Sequence, residues 1–157
     1  MTFTNVLSFP LNYAKGPAFI NGPPAGPAYG GSWKPWIDDA TFATQFAFTA
    51  SNGNPAVVYC QPILADIEFD SNEDMILTFN DRFGHQTGAN NLRPDATHSN
   101  TTLYTNVAGG DILRASWVSG AYVLENNGTS GGVSTSGVGN NQGPGGGEFY
   151  IGDQSLM

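Results

Sequence analysis

Residues 66–88 read DIEFDSNEDMILTFNDRFGHQTG and contain two short apolar runs separated by a polar segment. In DIEFD, Ile67 and Phe69 alternate with acidic residues, which is the period of two expected of a strand with one apolar face. The run MILTFNDRF alternates again, with Met75, Leu77 and Phe79 on one side. Between the two runs, SNED is rich in residues that favour turns. The stretch therefore predicts a β-hairpin.

Two further pairs of runs predict hairpins of the same kind. DDATFATQFAFTAS and PAVVYCQPI flank the turn sequence NGN, and ILRASWV and AYVL flank the dipeptide SG. The segments ADIEFDSNEDMILTFND and GGDILRASWVSGAYVLEN share one plan, an Asp-Ile strand followed by a polar turn and an apolar strand. Repeated hairpins of this kind suggest the blades of a β-propeller.

Outside the hairpins the chain is dominated by residues that end regular structure. Of its 157 residues, 21 are glycine and 10 are proline. Residues 14–36, 84–102 and 129–148 are predicted to be long loops, while residues 3–11 and the segment that begins at Phe149 are predicted to be strands. No segment of ten residues shows the period of a capped helix, so we expect little helix. The predicted fold class is all-β, with antiparallel hairpins and four-stranded sheets.

Length and charge restrict the classes of protein to consider. A chain of this size is enough for one modest domain, so residues 1–157 are predicted to form one domain. Thirteen acidic against five basic residues give a formal charge of −8, which opposes contact with nucleic-acid phosphates. The single cysteine, Cys60, excludes an internal disulfide and a cysteine-rich zinc site.

The two ends and the apolar runs bear on membrane insertion. The N-terminus lacks the pattern of a secretory signal, and no run approaches the ~18 apolar residues that cross a bilayer. We therefore expect no membrane insertion in this segment. Both ends read as cuts through a longer protein.

Five segments, in order, carry a resemblance to a known family: VLSFPLNY, QPILADIEFDSNEDMILTFNDRFGHQTG, GGDILRASW, YVLENNGTSGG and NNQGPGGGEFYIGD. Together they resemble the propeller-like N-terminal region of large bacterial surface proteins, which precedes immunoglobulin-like modules of the serine-aspartate-repeat B type. The likeness extends from Phe3 to Asp153 and departs at residues 15–35, where a cysteine-containing loop is expected. The resemblance implies a partial β-propeller whose remaining blades lie in the same longer chain. It also implies an extracellular or bacterial cell-surface location, and it brings no catalytic residues.

Calcium binding is one predicted role of the acidic residues in the opening stretch. In a propeller blade the strand DIEFD would lie towards the central channel, where propeller enzymes hold metal ions, so Asp66, Glu68 and Asp81 are candidate ligands for Ca²⁺. The alternative is that the acids face water and that the acids of DSNED stabilise turns through their own backbone. The spacing of DSNED lacks the glycine and the final glutamate of an EF-hand.

For each of the remaining polar and aromatic groups, a structural and a functional interpretation are considered. His85 and His98 lie in polar sequence without a nucleophile or metal motif, and surface contacts are the expected role. Tyr104, Trp117 and Tyr122 would form a glycan-stacking platform or belong to the core.

These observations favour a non-catalytic structural or adhesive module of a bacterial surface protein that presents loops to a protein or glycan. Two alternatives remain. The first is a Ca²⁺-dependent propeller hydrolase of the lactonase or esterase kind, which requires at least three converging oxygen ligands. The second is a carbohydrate-binding module, which requires exposed aromatic rings in one plane.

Overall fold

The computed structural model describes residues 2–20, 28–37, 41, 45–92 and 101–152, and it confirms the all-β class. Within these residues, twelve strands and one short helix form the regular structure, together with a 3₁₀ turn at Pro144–Gly146. The elements are β1 Phe19–Ile20, β2 Ala28–Tyr29, β3 Phe46–Thr49, β4 Pro55–Val57, β5 Pro62–Phe69, β6 Met75–Asp81, α1 Arg82–Thr87, β7 Asn91–Leu92, β8 Leu103–Asn106, β9 Asp111–Val118, β10 Ala121–Leu124, β11 Thr129–Ser130 and β12 Val133–Ser134.

The described residues divide into two compact units. The first unit contains residues 2–16, 64–79 and 111–152, and the second contains residues 17–63 and 80–110 apart from their undescribed positions. The prediction of one domain over residues 1–157 stays a prediction. No helix in the described part of the chain is long and apolar enough to span a membrane.

The first unit is built on a four-stranded sheet with the order β10-β9-β6-β5. Strands β6 and β9 are antiparallel, with Met75 opposite Ala115 and Phe79 opposite Asp111. The buried core alternates along these two central strands, as a period of two requires, and consists of Met75, Leu77, Phe79, Leu113 and Ala115. Both hairpins that the sequence predicts here are therefore confirmed as neighbouring strands, β5 with β6 and β9 with β10.

Strand β5 differs from the expectation for a half-buried strand. It is the edge of its sheet, and Leu64, Ile67 and Phe69 are all exposed. The alternation of DIEFD is real, but the apolar face that it defines has no covering layer in the described residues.

The second unit contains the other four-stranded sheet, with the order β3-β4-β8-β7. The predicted hairpin around NGN is confirmed, because β3 and β4 pair antiparallel with Thr49 opposite Pro55. The pairing of β4 with β8 is parallel and was not expected. The hydrophobic core of the second unit is formed by Val57, Phe83 and Tyr104.

Helix α1 begins where the hairpin of the opening stretch ends. The Asp81 side chain accepts a hydrogen bond from the Phe83 N–H, and the chain leaves the helix at Gly88, with φ of 58°. The helix has six residues, too few to show a periodic pattern, so periodicity alone could not identify it.

Two strand predictions are wrong. Residues 3–11 form no strand: Phe3 and Val6 are exposed, and the ring of Phe9 packs edge-on against Phe79. The segment from Phe149 to Gly152 forms bends and turns. It is held by other contacts, since the Phe149 N–H donates to the buried carboxylate of Glu125.

Candidate functional site

An open cleft in the first unit gathers three aromatic and two acidic side chains. Its lining residues are Phe69, Asp70, Glu73, Trp117 and Tyr122, and its volume is about 350 Å³. Phe69 is 57% exposed and Trp117 is 45% exposed, so their rings are accessible to a ligand. Large exposed aromatic side chains that share one concave surface are typical of binding sites.

The tight turn between β9 and β10 brings two of the rings together. Ser119 and Gly120 both have positive φ, 52° and 89°, which is the requirement of a two-residue type I′ turn. This turn fixes the register of the hairpin, and Trp117 lies directly opposite Tyr122. Their ring centroids are 4.8 Å apart with the planes at 63°.

The turn between β5 and β6 supplies the acids and the third ring. One carboxylate oxygen of Asp70 accepts hydrogen bonds from the Asn72 N–H at 2.8 Å and the Asp74 N–H at 3.1 Å. Glu73 follows with a left-handed φ of 63°. Phe69 precedes the turn, and its ring centroid is 6.1 Å from that of Tyr122.

An ion-pair network holds the two turns in place. The Asp74 carboxylate accepts from the Trp117 N–H at 2.8 Å with one oxygen. Its other oxygen accepts from Nη2 of Arg114 at 2.7 Å and from the Ser116 hydroxyl at 2.9 Å. Arg114 Nη2 also pairs with Asp70. The backbone of Trp117 is thereby tied to the turn that carries Glu73.

The same network sets the ionisation of both aspartates. The hydrogen bond from the Asn72 N–H, together with those from Arg114 and the Asp74 N–H, holds the pKa of Asp70 below its ordinary value. Burial by itself would raise the pKa of Asp74, but the hydrogen bonds from the Trp117 N–H, Arg114 and Ser116 outweigh it and lower that pKa. Both side chains are carboxylates at neutral pH.

Arg114 also connects the cleft to the glycine-rich C-terminal segment. Its Nη1 donates to the Tyr150 hydroxyl at 3.1 Å, and its guanidinium lies 5.4 Å from the centroid of the Phe149 ring. That segment can fold closely because Gly137 has no side chain, since a Cβ there would lie 2.1 Å from the Glu148 carbonyl oxygen. Residues 143–149, GPGGGEF, belong to this segment and contain the 3₁₀ turn at Pro144–Gly146.

The structure places the three predicted calcium ligands in different settings. Asp66 and Glu68 are exposed on β5, and Asp66 accepts from the N–H of Ile67. Asp81 is buried in the second unit, where it accepts from the N–H groups of Gln61 at 2.9 Å and Phe83 at 3.0 Å. Within residues 2–92 and 101–152, as far as they are described, no three His, Cys, Asp or Glu side chains form a group that could hold a metal ion. Calcium binding by these residues stays a prediction.

The aromatic residues considered for glycan stacking also separate. Trp117 and Tyr122 line the cleft, whereas Tyr104 is buried in the core of the second unit. His85 is exposed near the end of α1, and His98 lies outside the described residues. Sequence reasoning missed Phe69, Glu73 and Arg114 as parts of one site. The two-residue SG loop was the available signal for the Trp117–Tyr122 pair, because it determines which residues face each other.

The chain is similar to one part of a very large eukaryotic protein. It is 32% identical to Colossin-A of Dictyostelium discoideum over 154 residues, which cover 94% of this chain. The chain spans about 1% of the length of that protein. No family model matches the chain. No solved structure matches it either.

Proposed function

We propose that this chain is a non-catalytic structural or adhesive module of a long extracellular protein, of the bacterial cell-surface kind that its sequence resembles, and that it contacts a protein or glycan partner. The observation that carries the proposal is the open cleft of Phe69, Trp117 and Tyr122. Aromatic side chains supply large contact area at low cost in conformational entropy and dominate many binding surfaces.

The way the cleft is held supports a binding role. The rings project from strands and tight turns, and the Asp74–Arg114 pair fixes the two turns through hydrogen bonds of 2.7–3.1 Å. A rigid site loses little conformational freedom when a partner binds. The similarity to a segment of Colossin-A, which is far longer, supports a modular role within a large protein.

We also propose that the sheet β5-β6-β9-β10 is one blade of a partial β-propeller. Its four strands lie side by side in the order in which they occur along the chain, with β7 and β8 of the other sheet inserted between β6 and β9. The exposed side chains of β5 would then contact further blades of the longer chain. A crystal structure of a longer natural chain tests this: sheets arranged around a central channel would support it, and a closed sandwich would contradict it.

Binding through the cleft is tested with the purified chain on a sensor surface, against panels of immobilised glycans and of extracellular-matrix proteins. We expect at least one partner to bind the unaltered chain. Trp117→Ala should weaken this binding at least about tenfold, as truncation of a central aromatic anchor commonly does. Trp36→Phe is the matched control, because Trp36 is an exposed indole in the second unit.

Three results would overturn the proposal. The first is partner binding that Trp117→Ala leaves unchanged, and the second is no binding to any member of either panel. The third is hydrolysis of a nitrophenyl ester or a lactone that a chelator abolishes and Ca²⁺ restores, which would establish the hydrolase alternative. Asp66→Asn and Glu68→Gln would then show whether the predicted ligands hold the ion.

A further inference from the structure

We infer that the cleft of Phe69, Glu73, Trp117 and Tyr122 binds a quaternary or fully methylated ammonium group. This rests on the proposed function and specifies the chemical group on the partner that the cleft contacts. The faces of aromatic rings attract cations through their negative quadrupole, and tryptophan does so most strongly. A carboxylate beside the rings adds a full negative charge.

The arrangement of the rings favours a cation over a sugar. A sugar ring stacks on a flat aromatic surface, so a glycan platform requires rings in one plane. Here the planes of Trp117 and Tyr122 meet at 63°, and those of Phe69 and Tyr122 meet at 49°. Rings inclined to one another present several faces and edges to one compact group. The volume of about 350 Å³ lies at the lower end of the about 300–1,000 Å³ of small-molecule sites, which suits a small head group.

The two acids of the cleft play different parts. Asp70 already accepts from two backbone N–H groups and pairs with Arg114, so its charge is compensated within the protein. In the described part of the chain, the exposed carboxylate of Glu73 has neither a hydrogen bond nor an ion pair. The protein therefore offers a ligand one uncompensated carboxylate.

The number of acceptors in the cleft favours a fully methylated ammonium group over a primary one. A primary ammonium carries three N–H donors and needs about three acceptors when it leaves water. The two oxygens of the Glu73 carboxylate can accept at most two of these N–H donors. A quaternary ammonium has no N–H to satisfy, so ring faces and one nearby carboxylate are sufficient for it.

The backbone conformation of Glu73 determines where its carboxylate lies. A left-handed φ of 63° is unfavourable for a glutamate, and this position of a three-residue hairpin loop ordinarily carries glycine. Strained residues of this kind concentrate at ligand sites. The left-handed conformation gives this turn a carboxylate beside the rings, where glycine would supply none.

The test is a titration of the full chain with choline, followed by the indole N–H resonance of Trp117 in NMR spectra at constant ionic strength. The comparison ligand is 3,3-dimethylbutan-1-ol, which has the same shape as choline and no charge. We expect saturable binding of choline in about the millimolar range, as befits an exposed site for a small group. The neutral analogue and methylamine should each bind at least about fivefold more weakly.

Two variants extend the test. Glu73→Gln keeps the shape of the side chain and should weaken choline binding about two- to fivefold, whereas Glu68→Gln, a control that removes an exposed carboxylate from β5, should leave it unchanged. Circular dichroism confirms that both variants are folded. An Nε-trimethyl-lysine amide in place of choline distinguishes a protein side chain from a small-molecule source of the same group.

Three outcomes would overturn the inference: equal binding of choline and its neutral analogue, binding of methyl glucoside without binding of choline, or no saturable shift of Trp117. These outcomes are distinct from failure of the proposed function. A partner that binds in a Trp117-dependent manner while choline does not would refute the ammonium assignment alone. Choline binding without any macromolecular partner would support the assignment and count against the adhesive role.

Discussion

Replacement of Asp74 by asparagine tests the network that holds the cleft together. The asparagine would keep a carbonyl oxygen for the Trp117 N–H, which lies 2.8 Å from Asp74. Its amide nitrogen would face the Arg114 Nε and Nη2 donors, now 3.1 and 2.7 Å from an Asp74 oxygen. The substitution therefore removes a charge and the acceptor for Arg114 with little change of shape.

The expected loss follows from burial and hydrogen-bond strength. The side chains of Asp74 and Arg114 are each 13% exposed, so water compensates little for the lost contacts. Hydrogen bonds to charged groups contribute about 1.5–3 kcal/mol each, and Arg114 keeps its bond to Asp70. We expect the free energy of unfolding to fall by about 2 kcal/mol. For a chain of this length, that lowers Tm by about 4–8 °C.

Urea unfolding, followed by circular dichroism and tryptophan fluorescence, measures this loss. Coincident transitions are required before a free energy is taken from them. Arg114→Met and the double variant complete a cycle, in which the double variant should cost less than the sum of the single ones. Glu68→Gln is the control, because it removes an exposed carboxylate from the same unit and should cost no more than about 0.5 kcal/mol.

The pH dependence of the Asp74→Asn effect gives a second check. The folded protein lowers the pKa of Asp74, so the carboxylate contributes its full stability above the unfolded pKa of about 3.9. That contribution is lost as the pH falls through the lower folded pKa. The difference between the unaltered chain and the variant should therefore narrow below about pH 4. A variant within about 0.5 kcal/mol of the unaltered chain at pH 7, with additive effects in the cycle, would refute the reasoning.

Three further substitutions probe individual features by urea unfolding. Glu73→Gly should stabilise the chain by about 0.5–1 kcal/mol, because glycine adopts the left-handed φ of 63° without strain, and it should weaken choline binding; a loss of stability would contradict this. Burial raises the pKa of Glu148, so the stability of the unaltered chain should decline as the pH rises above about 4.3 and through that raised value. Glu148→Gln removes this decline, so the stability of the variant relative to the unaltered chain should be greater at pH 7 than at pH 4. A relative stability that does not depend on pH would argue against a raised pKa of Glu148. Asp81→Ala removes the acceptor of the α1 N-terminus and of the Gln61 N–H and should cost about 1–3 kcal/mol, while Asp66→Ala, at an exposed position, should cost little; equal losses would count against the capping role.

The hairpins were predictable because their information is local. The two-residue turn at Ser119–Gly120 has two positive φ angles, as a type I′ turn requires. The alternating residues on either side of it determine which side chains face each other. From this register alone, the contact of Trp117 with Tyr122 follows. The strand predictions at residues 3–11 and after Phe149 were wrong for the opposite reason. A strand forms only where another strand pairs with it, and the sequence of one segment does not show whether such a partner exists.

The candidate site was only partly predictable for the same reason. Arg114 and Asp74 are 40 positions apart, and they meet because Met75 lies opposite Ala115 in the pairing of β6 with β9. The residues between these strands, 82–110, contribute a helix and two strands to other parts of the structure. Nothing in the local pattern at either position specifies that register. Asp70 and Asp74 could thus be identified as turn residues, but not as the partners of an arginine.

Local sequence was sufficient to specify the all-β class, the hairpins around NGN, SNED and SG, and the scarcity of helix, because each depends on the alternation and turn chemistry of neighbouring residues. Long-range pairing was needed to establish that β5 is an exposed edge, that β4 and β8 are parallel, and that three rings and Glu73 share one cleft. These features depend on which distant strands pair. That choice is made by the free energy of the whole packed chain rather than by any one of its segments.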